Sequence, residues 1–116
     1  MSLDAPCPPA DSLNQLQQAL RAFAQARQWG PFHAPKNLAS ALVVEAGELL
    51  EPFQWLTEAQ SRALPPDVHE AVRLEMADVL LYLVQLADSL QVDLVQAAQD
   101  KMRINEGRFP VPADKA

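Results

Sequence analysis

The chain has 116 residues, 49% of them apolar, one cysteine and a net charge of −6. That length gives one domain with a modest core, and the acidic balance excludes a general nucleic-acid binder, which needs a basic face. The single Cys7 excludes an internal disulfide and a thiolate metal site. It fits a reducing cytosol, and no apolar run is long enough to span a bilayer. The N-terminus has neither the basic start nor the apolar run of a signal peptide. A cytoplasmic protein with no membrane and no nucleic-acid partner is therefore expected. Only 3 glycines are present, and abundant Leu, Ala, Gln and Glu favour helix throughout.

In chain order, Met1 to Ala10 reads as a disordered N-terminal tail, and the helical domain is expected over 11–108. Ser12-x-x-Gln15 has the form of a capping box. Leu13, Leu16, Leu20 and Phe23 then recur at helical spacing, so a first helix is predicted to about Gln28, with Gly30 as its C′ residue. Residues 29–36 form a loop stiffened by Pro31 and Pro35 that gathers Trp29, Phe32 and His33. Asn37 is positioned to cap a second helix that runs to about Glu51 and stops at Pro52. Thr57 to Ala63 suits a short surface turn of helix, broken by Pro65-Pro66.

Asp67-x-x-Glu70 reads as another capping box, opening a third helix that ends near Ser89. Besides its acidic face, this helix carries Ala77, Leu80, Leu81 and Val84 on its far side. A helix apolar all round is buried all round, so a second subunit is expected against it. Asp93-x-x-Gln96 caps a fourth helix that ends near Gly107. On it, Lys101, Asn105 and Arg108 share the face of Leu94 and Ala98. The segment 109–116 reads as a C-terminal tail.

Four carboxylates organise this frame: Glu45-x-x-Glu48 in the second helix and Glu75-x-x-Asp78 in the third. Each pair lies on one side of its helix. At ~100° per residue, Glu45 points with Leu38, Leu42 and Leu49, while Glu48 sits at the edge of that stripe. Glu75 points with Val68, Val72, Val79, Tyr82 and Leu86, flanked by Asp78. Inward carboxylates are costly unless protons or a cation neutralise them. An all-oxygen set suits a hard divalent ion, and Mg²⁺ keeps water and substrate phosphates in its shell. The plainer alternative is four solvated face residues. A di-iron carboxylate bundle uses Glu-x-x-His pairs, which His33 and His69 do not complete.

The paired motifs, within the stretches FHAPKNLASALVVEAGELLEPFQW, LEMADVLLYLVQLA and VDLVQAAQDKMRINEGRFP, resemble the MazG-type all-α nucleoside triphosphate pyrophosphohydrolases from about Phe23 to Pro110. The likeness is greatest to the dCTP-cleaving branch. It implies an all-α bundle of four main helices that works as a dimer or a tetramer. It implies Mg²⁺ held by Glu45, Glu48, Glu75 and Asp78, and cleavage between the α and β phosphates to a nucleoside monophosphate and pyrophosphate. Glu48, at the stripe's edge, is the expected general base. By the same resemblance, Lys101 and Asn105 match phosphate- or sugar-contacting positions. Arg108 shares their face. Trp29, His33, Asn37 and Trp55 match a base and sugar pocket. Tyr82, one turn beyond Asp78, is either a buried tyrosine with its hydroxyl satisfied or one whose hydroxyl holds a metal ligand or a phosphate oxygen.

The chain departs from the resemblance at two positions. Leu20 stands near the register where related enzymes carry an inward histidine, and Phe109 replaces a frequent tyrosine. Alternatives in view are the same chemistry on dUTP, on a broad range of triphosphates or on phosphoribosyl-ATP, and a non-catalytic helical interaction module.

Overall fold

The computed structural model describes residues 12–113. The expected tail from Met1 to Ala10, with Cys7, lies outside the described residues, as do 114–116 of the expected C-terminal tail. Five helices follow in order: α1 (Leu13–Ala26), α2 (Pro35–Leu50), the single turn α3 (Glu58–Ser61), α4 (Pro66–Ser89) and α5 (Leu94–Arg108). A 3-10 turn at Gly30–Phe32 joins α1 to α2. No strand occurs among the described residues. No described helix is long and apolar enough to cross a membrane.

The Ser12 and Asp93 side chains accept from the Gln15 and Gln96 amides, at 3.2 and 3.0 Å. Thr57 and Gln60 form a reciprocal capping box on α3, which is why so short a turn persists on the surface. Two expected caps are corrected. Asn37 lies inside the first turn of α2, which opens at Ala34 and Pro35 without a side-chain cap. Likewise α4 opens at Pro65 and Pro66, not through Asp67 and Glu70. In both cases proline at the first helical position removes an amide that would lack a partner and presets φ, so no cap is required there.

The end of α1 also differs from expectation. The helix stops at Ala26, and Gln28, not Gly30, takes the left-handed position (φ 56°). Amides of Gln28 and Trp29 donate to the carbonyls of Gln25 and Ala24, a Schellman closure. Its usual apolar contact is the edge-on packing of Trp29 against Phe23, with ring centroids 5.5 Å apart. Gln91 closes α4 in the same way: Val92 donates to Ala87 at 2.8 Å.

The most extensive helix pairing lays α2 along α4, and α1 covers a second side of α4. Arg21 clamps that second pairing through a two-point bond to Asp88, with Nε 3.1 Å from Oδ2. Among the described residues only Ala19, Leu38, Val72, Val84 and Ala87 are buried apolar side chains, Leu38 and Val84 the most completely. Val84, expected on the subunit-facing side of its helix, is instead enclosed within the chain at 2% exposure, beside Leu20 and Leu38. Leu80 stays open, as do Leu74, Met76 and Leu83. Helix α5 has no comparable pairing and no buried residue. The Cα radius of gyration is accordingly 17.8 Å, against roughly 13 Å for a compact chain of this length.

Candidate functional site

The α2–α4 seam brings acids together where core would be expected. Leu38 anchors α2 and Val72 anchors α4. Their helical faces carry Glu45 and Glu48 from one side and Glu75 from the other into the seam. One carboxylate oxygen from each of these three lies within 4.8 Å of the other two, and all three residues are half-buried. Oε2 of Glu45 and Oε2 of Glu75 are sealed from solvent without a hydrogen-bond partner. Ionised carboxylates only accept hydrogen bonds, so their contacts repel until a proton or a cation enters.

That repulsion favours the protonated form of Glu45. The Glu45 carboxyl is pushed up to about 7, first by burial, then by its contacts with Glu48 and Glu75 and by the charges of Glu48 and Asp78. Asp78, one turn after Glu75, is exposed and stands outside the close triplet, near enough to act on Glu45 through its charge.

Asp78 also opens onto a cleft of about 150 Å³, with Leu20 and Phe23 of α1 on one wall and Tyr82 and Gln85 of α4 on another. Trp29 and His33 close its rim, with ring centroids 5.9 Å apart. Local structure explains their placement. The Schellman turn delivers Trp29 onto Phe23, and Arg27 covers that ring at 3.4 Å. Asn37 fixes the loop by donating from its side-chain amide to the Phe32 carbonyl at 3.3 Å. An apolar slot with few polar groups beside a cluster that calls for a cation is the form of a ligand site. A larger groove of about 680 Å³, along α1 and the far end of α4, holds none of the acids. Volume alone does not select the chemistry.

Other expected site residues stay apart in the single chain. Trp55 follows α2 and is 86% exposed. Lys101 and Arg108 are exposed and Asn105 half-buried on α5, and none of the three lines the aromatic cleft. Arg108 lies over its neighbour Phe109, 5.3 Å from the ring centroid. Conversely, Gln85 lines the cleft though sequence reasoning passed over it. Its signal was present: it follows Asp78 by seven and Tyr82 by three, one face of one helix.

A family model for the MazG-like family matches residues 41–116. The chain belongs to the MazG-like family. This MazG-like chain is 46% identical over 105 residues to the mouse protein named dCTP pyrophosphatase 1 and 42% identical over 104 residues to the human protein of that name, with 89% and 88% of the chain aligned. It spans only about 62% and 61% of those relatives' own lengths. The crystal structure of a pyrophosphatase from Archaeoglobus fulgidus superposes with a TM-score of 0.76 at 35% identity, covering 90% of this chain and 97% of that one.

The acids of this MazG-like chain pass a test of fit for a divalent cation. A shell at ~2.0–2.6 Å puts ligand oxygens at most about 5 Å apart, and the triplet's oxygens meet that limit. The two sealed, unpartnered oxygens are what a hard cation would satisfy, and an all-carboxylate set excludes a preference for soft metals.

Proposed function

We propose that the chain is a Mg²⁺-dependent nucleoside triphosphate pyrophosphohydrolase that cleaves the α–β anhydride of dCTP, or a modified dCTP, to the monophosphate and pyrophosphate. The observation that carries this reading is the convergence of Glu45, Glu48 and Glu75 with two unsatisfied buried oxygens beside an aromatic cleft. The names borne by the mouse and human relatives support the choice of substrate. Glu45, Glu48 and Glu75 would hold the metal, with Asp78, which already acts on Glu45 through its charge, as the fourth acid of the set. Magnesium fits because it retains water and substrate oxygens in its shell. When bound, it supplies charge neutralisation on the phosphates and a more acidic water.

The chain's own residues do the rest. Glu48, the member of the triplet at the edge of its apolar stripe and without a sealed, unpartnered oxygen, accepts the proton of the attacking water. The new P–O bond forms from that water, the anhydride P–O bond breaks, and the electron pair leaves with pyrophosphate. Such transfer depends on positioning and charge neutralisation more than on covalent catalysis. Trp29, His33 and Tyr82 frame the base and Asn37 holds their loop; Trp55, which stands apart from the cleft within one chain, is assigned to the base pocket by the family resemblance alone. Lys101, Asn105 and Arg108 bind phosphates or sugar once α5 is held against the site.

A second copy of the chain supplies that restraint. Val43, Val44 and Leu50 on α2 and Leu74, Met76, Leu80 and Leu83 on α4 are open apolar side chains, and large open apolar faces mark association surfaces. The working protein is thus a cytoplasmic homodimer or tetramer built from the 11–108 domain.

The test is a pyrophosphate-release screen over all ribo- and deoxynucleoside triphosphates, with and without Mg²⁺. Release from dCTP, ahead of the other nucleotides and dependent on the metal, is expected. Absence of pyrophosphate from every nucleotide would overturn the reading.

A further inference from the structure

One polar group in the aromatic cleft has no role in the function proposed above. Gln85 lies on α4 one turn beyond Tyr82 and two turns beyond Asp78. It lines the cleft with Trp29 and Tyr82 and also an adjoining hollow of about 170 Å³ between α1 and α4. The residue is half-buried, yet neither of its amide atoms is sealed off. It has no hydrogen-bond partner among the described residues. A half-buried amide without a partner beside open cleft volume is one a ligand can satisfy. On the opposite wall α1 presents Leu20 and Phe23, neither able to hydrogen-bond through its side chain, so an edge-reading contact from a helix must come from α4.

The axial distance also suits such a role. Seven residues at ~1.5 Å rise place Gln85 about 10 Å along α4 from Asp78. Phosphates drawn to the acid end leave the sugar and base to extend along α4 toward Gln85. We propose that Gln85 is a base-contacting residue that pairs with the edge of a pyrimidine ring at position 4. The proposal rests on the reading of the cleft as a nucleotide site. A primary amide carries an acceptor and donors side by side. Its Oε1 accepts from the exocyclic 4-amino group of cytosine, the contact that carries the role. Turned over, the same unanchored amide meets a 4-oxo ring. Gln85 therefore gives the pocket a contact to the pyrimidine edge without choosing between the two pyrimidines, a choice left to the cleft's other polar side chains.

The test pairs a change in the protein with a change in the ligand, so that coupling isolates the contact. Pyrophosphate release is measured for wild type, Gln85→Leu and Gln85→Met. The substrates are dCTP and the corresponding pyrimidin-2-one deoxynucleoside triphosphate, which lacks the 4-amino group. Wild type should lose about tenfold in kcat/KM on the analogue, the size of one good hydrogen bond, mostly through KM. Both variants should lose about tenfold on dCTP yet treat the two substrates alike, within about threefold. Turnover of the analogue by the variants at near wild-type rate reports an intact fold and metal site. An equal penalty for the missing amino group in wild type and variants would overturn the role of Gln85. Failure of wild type to release pyrophosphate from dCTP would instead overturn the nucleotide reading, and this role with it.

Discussion

The α2–α4 seam and helix α5 are built from similar letters and reach opposite states. The seam is the best-packed part of the chain, and within it Glu45 and Glu75 carry sealed oxygens with no partner. Helix α5 has every ordinary sign of stability: an Asp93 cap, an Asp100–Arg103 bond at 3.0 Å and Arg108 in its last turn. It nevertheless has no extensive pairing with another helix, and Val95, Met102 and Ile104 remain open. The seam is assembled within one chain but lacks its counter-charge. The arm carries counter-charge, in Lys101 and Arg108, but lacks its packing partner. Within one chain the acids of the seam and the basic face of α5 stand apart, and the proposed function calls on a cation, a substrate and a second copy to bring them together.

Removing acids from the seam should have the largest effect. Glu75→Gln and Asp78→Asn are expected to lower kcat by about a thousandfold or more while circular dichroism stays helical. Retained activity in both variants would break the comparison at its stronger end. Next comes the open face of α4. Leu80→Asp should shift sedimentation from an oligomer to a single chain, because a charge there cannot be buried unpaired. An unchanged profile would remove that face from the interface.

On the arm, Lys101→Ala should raise KM about tenfold with kcat much less affected, as expected for one charge-assisted phosphate contact. Unchanged KM and kcat would detach α5 from the site. A smaller effect lies in pH. Glu45 has its folded value raised to about 7, above the usual carboxylate range. Its protonated form is the one the fold tolerates, so this stability is fully present below about 4.5 and is lost as pH rises through 7. The melting temperature of metal-free protein should therefore fall across that window, and Mg²⁺ at neutral pH should restore it by mass action.

Much of this was legible in the letters. The spacing Glu45-x-x-Glu48 and Glu75-x-x-Asp78 on apolar stripes located the seam, because helical period and burial follow from local sequence. Caps at Ser12 and Asp93 were equally readable, and so was the short turn that starts at Thr57, though not its capping box. The starts of α2 and α4 were not, because Pro35 and Pro66 open a helix without the Asx or Ser signal sought nearby. Gln28 escaped notice because nothing but the Trp29–Phe23 contact marks it for a left-handed turn. Gln85 looked like a routine polar helix residue, since its role depends on Leu20 and Trp29 arriving from distant parts of the chain. The isolation of α5 was also hidden: a pattern of apolar positions tells which face wants burial, but not whether the same chain provides the cover.

The most direct test compares Glu45→Gln with wild type in thermal melts at pH 8, with and without Mg²⁺. Without metal the variant should melt higher than wild type, because a neutral amide relieves the crowding of like charges in the seam. Mg²⁺ should raise the wild-type melting temperature and leave the variant nearly unmoved. A variant that melts lower in the absence of metal, or equal Mg²⁺ shifts in both proteins, would contradict the claim that these carboxylates form a strained seam awaiting a hard cation.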